Sequence, residues 1–134
     1  MAAVLVVDDD KNQLLLLTEE LAGEGYTVRA ASNGQEALAS IAERGMPDLA
    51  VLDIAMPGMD GLELLSRLLA IDHRLPVVIY TAYASYKDSF MSWSADAYVV
   101  KASDLTELKN AVRCALARQS GAQAQPPRQS PPAG

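Results

Sequence analysis

Five times along this chain a short run of aliphatic or β-branched residues gives way to a polar break, and each break is followed by apolar residues at helical spacing. Val4-Leu5-Val6-Val7 ends in Asp8-Asp9-Asp10, as a strand buried on both faces ends in a loop. Leu14, Leu15, Leu17, Leu21 and Ala22 then recur with a helical period up to Gly23 and Gly25. Thr27–Ala31 reads as a second strand, Ser32-Asn33-Gly34 as a turn or helix cap, and Gln35–Arg44 as a helix with Ala37, Leu38 and Ile41 turned inward. Asp48–Leu52 is the third strand, Ile54–Asp60 a loop and Gly61–Ile71 the third helix. Pro76–Tyr80, a weaker helix over about Ser85–Trp93, the strand Ala97–Val100 and an amphipathic helix over Leu105–Arg118 complete the series.

Strands that alternate with helices imply a parallel sheet, because each crossover returns over one face and runs right-handed. The expected fold is therefore α/β, a three-layer α/β/α sandwich around a five-stranded parallel sheet. With 134 residues, half of them hydrophobic, the chain can bury one core of its own and not two. After Gln119 the composition turns to Ser, Gly, Gln, Ala and Pro, with Pro126-Pro127 and Pro131-Pro132. Such a stretch buries too little surface to offset its ordering entropy, so the reading is one domain over 1–119 and a disordered Pro-rich tail over 120–134.

Several function classes drop out. No stretch approaches the roughly 20 apolar residues that span a bilayer, and no basic, apolar and small-residue series opens the chain, so a cytoplasmic protein without membrane contact is expected. A formal charge of −6 repels nucleic-acid phosphates and anionic lipid, which argues against direct nucleic-acid binding. The single cysteine, Cys114, allows neither an internal disulfide nor a thiolate metal site, and its apolar neighbours suggest a buried structural thiol.

In open parallel sheets, ligands bind beyond the carboxyl ends of the strands. The polar residues there are Asp8, Asp9 and Asp10 after the first strand, Asp53 after the third, Thr81 after the fourth and Lys101 after the fifth. Two carboxylates about 5 Å apart repel by roughly 3 kcal/mol at an effective dielectric near 20, which a cation relieves. An all-oxygen donor set suits a hard ion, and Mg²⁺ prefers one or two carboxylates together with waters and a phosphate. Asp53 can then supply a nucleophilic oxygen, while Mg²⁺, Lys101 and Thr81 meet the phosphoryl oxygens.

Val6-Val7-Asp8-Asp9-Asp10, Asp53-Ile54-Ala55-Met56-Pro57-Gly58-Met59-Asp60-Gly61, Thr81-Ala82 and Tyr98-Val99-Val100-Lys101 together resemble the receiver domains of two-component response regulators, over roughly residues 3–118. That resemblance implies a doubly wound, flavodoxin-like sheet of strand order 2-1-3-4-5. It implies phosphorylation of Asp53 by a histidine kinase or phosphotransfer protein, with Asp8, Asp9, Asp53 and the main-chain carbonyl of Ala55 around Mg²⁺. Thr81 and Lys101 would contact the phosphoryl group, and Thr81 with Tyr98 would form a switch that reshapes a surface for a downstream protein, the chain being a monomer or a phosphorylation-dependent dimer. It would be a signalling switch rather than an enzyme acting on external substrate.

The sequence departs from the family pattern in two places. Lys101 is followed by Ala102 where the family most often has proline after a cis bond, and a cis bond without proline costs roughly 3 kcal/mol. The positions two after Asp53 and two after Thr81 are Ala55 and Tyr83, neither suited to position a hydrolytic water, so slow autodephosphorylation is expected.

Taken singly, each signal has a plainer reading. Three consecutive aspartates are more often a solvated turn or helix cap, Thr81 an ordinary strand end, Lys101 a surface charge, Tyr98 a half-buried strand residue and His73 a solvated loop side chain. It is their joint occurrence at four strand ends that favours the phosphoacceptor. Two rivals remain: a pseudo-receiver that signals without phosphate, and a Mg²⁺-dependent phosphatase, which would usually carry a second aspartate where Ala55 stands.

Overall fold

The computed structural model describes residues 2–54, 61–82, 95–102 and 104–120. Along these residues run β1 (Ala3–Val7), α1 (Lys11–Gly23), β2 (Thr27–Ala31), α2 (Gly34–Arg44), β3 (Leu49–Leu52), α3 (Gly61–Ile71), β4 (Val77–Thr81), β5 (Ala97–Val100) and α4 (Thr106–Ser120). The strands form one parallel sheet in the order β2-β1-β3-β4-β5, the doubly wound, flavodoxin-like arrangement. The helix expected over 85–93, the carbonyl of Ala55, Tyr83 and the tail beyond Ser120 lie outside the described residues.

Alternation along the strands divides the core in two. Leu5, Val7, Ala50, Leu52, Val77 and Ile79 face Ala37 and Ile41 of α2 and Leu64, Leu65 and Leu68 of α3. Val4, Val6, Leu49, Val51, Val78, Tyr80 and Val99 face Leu17 and Leu21 of α1 and Leu108, Val112 and Ala115 of α4. The register fits that division, pairing Leu5 with Ala50 on one face and Val4 with Leu49 on the other. Strands covered on both sides show no polar alternation, which is why β1, β3 and β4 read as unbroken apolar runs.

Local signals set the helix starts. The Asp10 carboxylate accepts from the main-chain N–H of Asn12 and Gln13 and so caps α1, giving the third aspartate the structural role that a run of aspartates allows. Asn33 caps α2, and Glu36 reaches back to the N–H and hydroxyl of Ser32, a bond that holds the Glu36 carboxyl below its usual range.

Three side chains that the sequence grouped with the apolar stripes face outward instead, the first two for one geometric reason. Cys114 is exposed, not buried. It lies two positions beyond Val112, about 200° round a helix of 3.6 residues per turn, and therefore opposite the stripe of Leu108, Val112 and Ala115. Leu15 stands in the same relation to Leu17 and is 60% exposed, and Ala22 faces out as well. His73 is exposed as expected.

Candidate functional site

The sheet's carboxyl edge is where β1 and β3, paired from Val4 with Leu49 to Val7 with Leu52, release their chains together. The Asp8 N–H donates to Ala31 O at 3.2 Å and the Asp53 N–H to Val7 O at 3.0 Å, so both aspartates continue the ladder by one hydrogen bond. That fixes their backbones side by side and leaves both carboxylates in the cleft beyond the strands. Asp8 is 1% and Asp53 6% exposed, whereas Asp9 is open to solvent. One carboxylate oxygen from each of Asp8, Asp9 and Asp53 lies within 4.8 Å of the others.

Lys101 enters from the far side of the sheet. Its N–H donates to Thr81 O at 2.7 Å, extending the β4–β5 ladder past Val100. Its ammonium donates to Asp8 Oδ2 at 2.7 Å and to Asp53 Oδ2 at 3.0 Å. Burial would pull the Lys101 pKa down, but the hydrogen bonds and charges of Asp8 and Asp53 outweigh it and hold the ammonium above its usual range. Asp8 moves the other way from a simple ion pair. Desolvation lifts its carboxyl above the usual aspartate range despite the bonds from Lys101 and from the Asp10 N–H, which donates to Asp8 Oδ1 at 2.9 Å. One half-buried cation is thus shared between two buried anions, with a third anion at the mouth.

The start of α3 is held just as closely. The Gly61 N–H donates to Ile54 O at 3.0 Å, and a Cβ on Gly61 would collide with the main-chain carbonyl of Asp53 and with the Ile54 Cα. Only glycine lets the first turn of α3 rest on the backbone of Asp53. Gly61 carried no separate weight in the sequence beyond its place in the Asp53–Gly61 motif.

Four of the expected site residues, Asp8, Asp9, Asp53 and Lys101, therefore meet at one point. Thr81 closes β4 with a fully buried side chain, and its carbonyl anchors Lys101. Tyr98 pairs with Ile79, is half-buried and packs on the core face of α2 and α3. The peptide bond between Lys101 and Ala102 is trans, there being no cis bond among the described residues. Tyr80, read from the sequence as one more strand residue, touches this site as well. Its hydroxyl donates to Ala102 O at 3.5 Å, and its ring lies 6.0 Å from Lys101 Nζ. The signal that could have marked it is a hydroxyl-bearing ring in the otherwise aliphatic run Val77-Val78-Ile79.

The donor set fits a hard divalent cation: oxygens only, two buried carboxylates and one exposed, leaving an open side for water or phosphate. A flavodoxin-like sheet with clustered acids and one lysine at its carboxyl edge presents an oxygen-lined cluster that could hold a metal ion. The chain belongs to the response regulator receiver domain family, whose model matches residues 4–113.

It is 38% identical over 112 residues to the sporulation initiation phosphotransferase F of Bacillus subtilis, a match that covers 82% of this chain and 90% of that protein. It is 39% identical over 120 residues to the transcriptional regulatory protein YkoG of the same species, covering 88% of this chain and 52% of YkoG, so this chain spans about half of that relative's length. The response regulator protein TrrA of Thermotoga maritima, solved in complex with Mg²⁺-BeF, superposes with a TM-score of 0.82 at 43% identity over 86% of this chain and 99% of that one. TrrA in complex with the histidine kinase ThkA superposes at 0.80, with 43% identity over 87% of this chain and 99% of TrrA.

Proposed function

We propose that Asp53 is the phosphoacceptor of a two-component signalling switch, loaded from a phosphohistidine on a histidine kinase or phosphotransfer protein in a Mg²⁺-dependent reaction. The observation that carries this reading is the Asp53 carboxylate itself, 6% exposed, 3.0 Å from the Lys101 ammonium and clustered with Asp8 and Asp9. In the transfer, an Asp53 carboxylate oxygen attacks phosphorus in line. The phosphorus–nitrogen bond breaks, the electron pair stays on the imidazole nitrogen, and an acyl phosphate forms. Asp8, Asp9 and Asp53, with the carbonyl of Ala55, would hold the Mg²⁺, which when bound supplies positive charge to the phosphoryl oxygens. The Lys101 ammonium stands close enough to follow the charge from the Asp53 oxygen onto a phosphoryl oxygen, and the Thr81 hydroxyl donates to another.

Thr81 and Tyr98 sit on neighbouring strands near this edge. Movement of Thr81 toward the phosphoryl group, followed by inward turning of the half-buried Tyr98 ring, would bias the surface beyond β4 and β5 toward a form that a downstream protein reads. With Ala55 and Tyr83 offering no carboxylate or amide to steer water, the acyl phosphate is lost slowly.

Acetyl phosphate with Mg²⁺ tests the reading. One phosphoryl group per chain is expected by intact mass, labile to acid and hydroxylamine, and absent from Asp53→Asn. Labelling that persists in Asp53→Asn would sink the assignment.

A further inference from the structure

β4 reads Val77-Val78-Ile79-Tyr80-Thr81, and its single ring is only 2% exposed. Tyr80 lies among Val99, Leu108 and Val112 on the face toward α1 and α4, a place that an aliphatic residue could fill without bringing a hydroxyl into the core. The hydroxyl donates to Ala102 O at 3.5 Å, the long end of hydrogen bonding, and the ring lies 6.0 Å from Lys101 Nζ, the outer range of a cation–π contact. Each contact alone is weak. They converge, however, on two consecutive residues, one of them the half-buried lysine that Asp8 and Asp53 share.

The chain at that point needs such a hold. The β4–β5 ladder ends with the Lys101 N–H on Thr81 O, and α4 starts only at Thr106. Ala102 brings no ring of its own to restrict the backbone. A lysine side chain is long and rich in rotamers, so holding its ammonium between two carboxylates depends on what surrounds its stem. A phenol is protonated at neutral pH, and burial raises the Tyr80 hydroxyl further above its usual range.

We infer that Tyr80 is a positioning residue for Lys101: its hydroxyl ties down the chain just past the lysine, and its ring faces the ammonium, so that Lys101 Nζ is held at the Asp53 carboxylate. This rests on the phosphoacceptor reading above for its kinetic consequence, but not for its structural one. Preorganised charge is what the transfer needs, since loose placement of the ammonium lowers the rate without changing which groups bind the metal.

Tyr80→Phe removes one oxygen and keeps the ring. With acetyl phosphate as donor, its maximal labelling rate falls roughly three- to ten-fold, the scale of one net hydrogen bond, while half-saturation by Mg²⁺ stays at the wild-type value. In a Lys101→Ala background the same change has no further effect, because a residue acting through Lys101 has nothing left to act on. Independently of labelling, nuclear magnetic relaxation of the Lys101 ammonium shows lower order in Tyr80→Phe than in wild type. Unchanged order, an unchanged rate in a wild type that does label, or an equal slowing in both backgrounds overturns the inference. Wild type that fails to label while the order still drops overturns the phosphoacceptor reading and leaves the positioning role standing.

Discussion

The two ends of the same sheet use the same residue type in opposite ways. At the amino edge, Asp48 Oδ2 accepts from the Ala3 N–H at 2.7 Å, and Asp96 Oδ2 accepts from the Val77 N–H at 2.8 Å while Arg118 stands 3.6 Å from its other oxygen. Each of these carboxylates clamps a strand start. At the carboxyl edge, Asp8, Asp9 and Asp53 converge on one another, and Lys101 is the cation that Asp8 and Asp53 share. An aspartate bonded to main-chain N–H groups is a fastener. Aspartates gathered around too little positive charge leave a deficit that a cation can fill, and that deficit sets the carboxyl edge apart from the amino edge.

The largest effect that could break this contrast is on labelling. Asp53→Asn is expected to abolish phosphoryl uptake from acetyl phosphate, whereas Asp48→Asn at the other edge leaves the rate near wild type; equal loss from both would erase the distinction. Next in size is stability. Asp96→Ala strips the acceptor from a buried strand N–H and should cost about 1–3 kcal/mol in urea unfolding, with labelling of the folded protein retained. A carboxyl-edge ligand separates the ends again: Mg²⁺ at ten times its dissociation constant should stabilise the fold by about 1.4 kcal/mol. That gain should shrink in Asp9→Asn and persist in Asp48→Asn, as thermal melts with and without the ion will show.

The smallest effect concerns pH. The Asp8 carboxyl, raised by burial, binds its proton more tightly folded than unfolded. Its contribution to stability is therefore greatest at acid pH and declines as pH rises from the ordinary aspartate range through the raised folded value. In metal-free buffer, the stability difference between Asp8→Asn and wild type should drift in favour of the variant over that window. A drift the other way would mean that Lys101 dominates Asp8 after all.

Much of this was legible in the sequence. Thr27–Ala31, Ala97–Val100 and Gly61–Ile71 are found with the bounds that their patterns suggest, because turn or polar residues bracket each of them, while the doubly covered β1, β3 and β4 stand out as apolar runs. The same logic put Asp8, Asp53, Thr81 and Lys101 at strand ends. Helix phase was harder to read. Leu14 to Leu17 are four consecutive leucines, and apolarity alone does not say which of them turns inward, so Leu15 appeared to belong to a face it does not join. Cys114 misled in the same way. The roles that escaped notice depend on contacts with main chain rather than on residue type: Gly61 against the carbonyl of Asp53, and Tyr80 against that of Ala102, 22 positions away.

The bond from Lys101 to Asp8 joins residues 93 positions apart. During synthesis β1 and β3 can pair, and their acids can draw together, well before β5 has left the ribosome. The neutralising charge is thus the last piece to arrive. Until it does, the carboxylates of Asp8 and Asp53 repel one another across the carboxyl ends of β1 and β3 without the ammonium that later joins them.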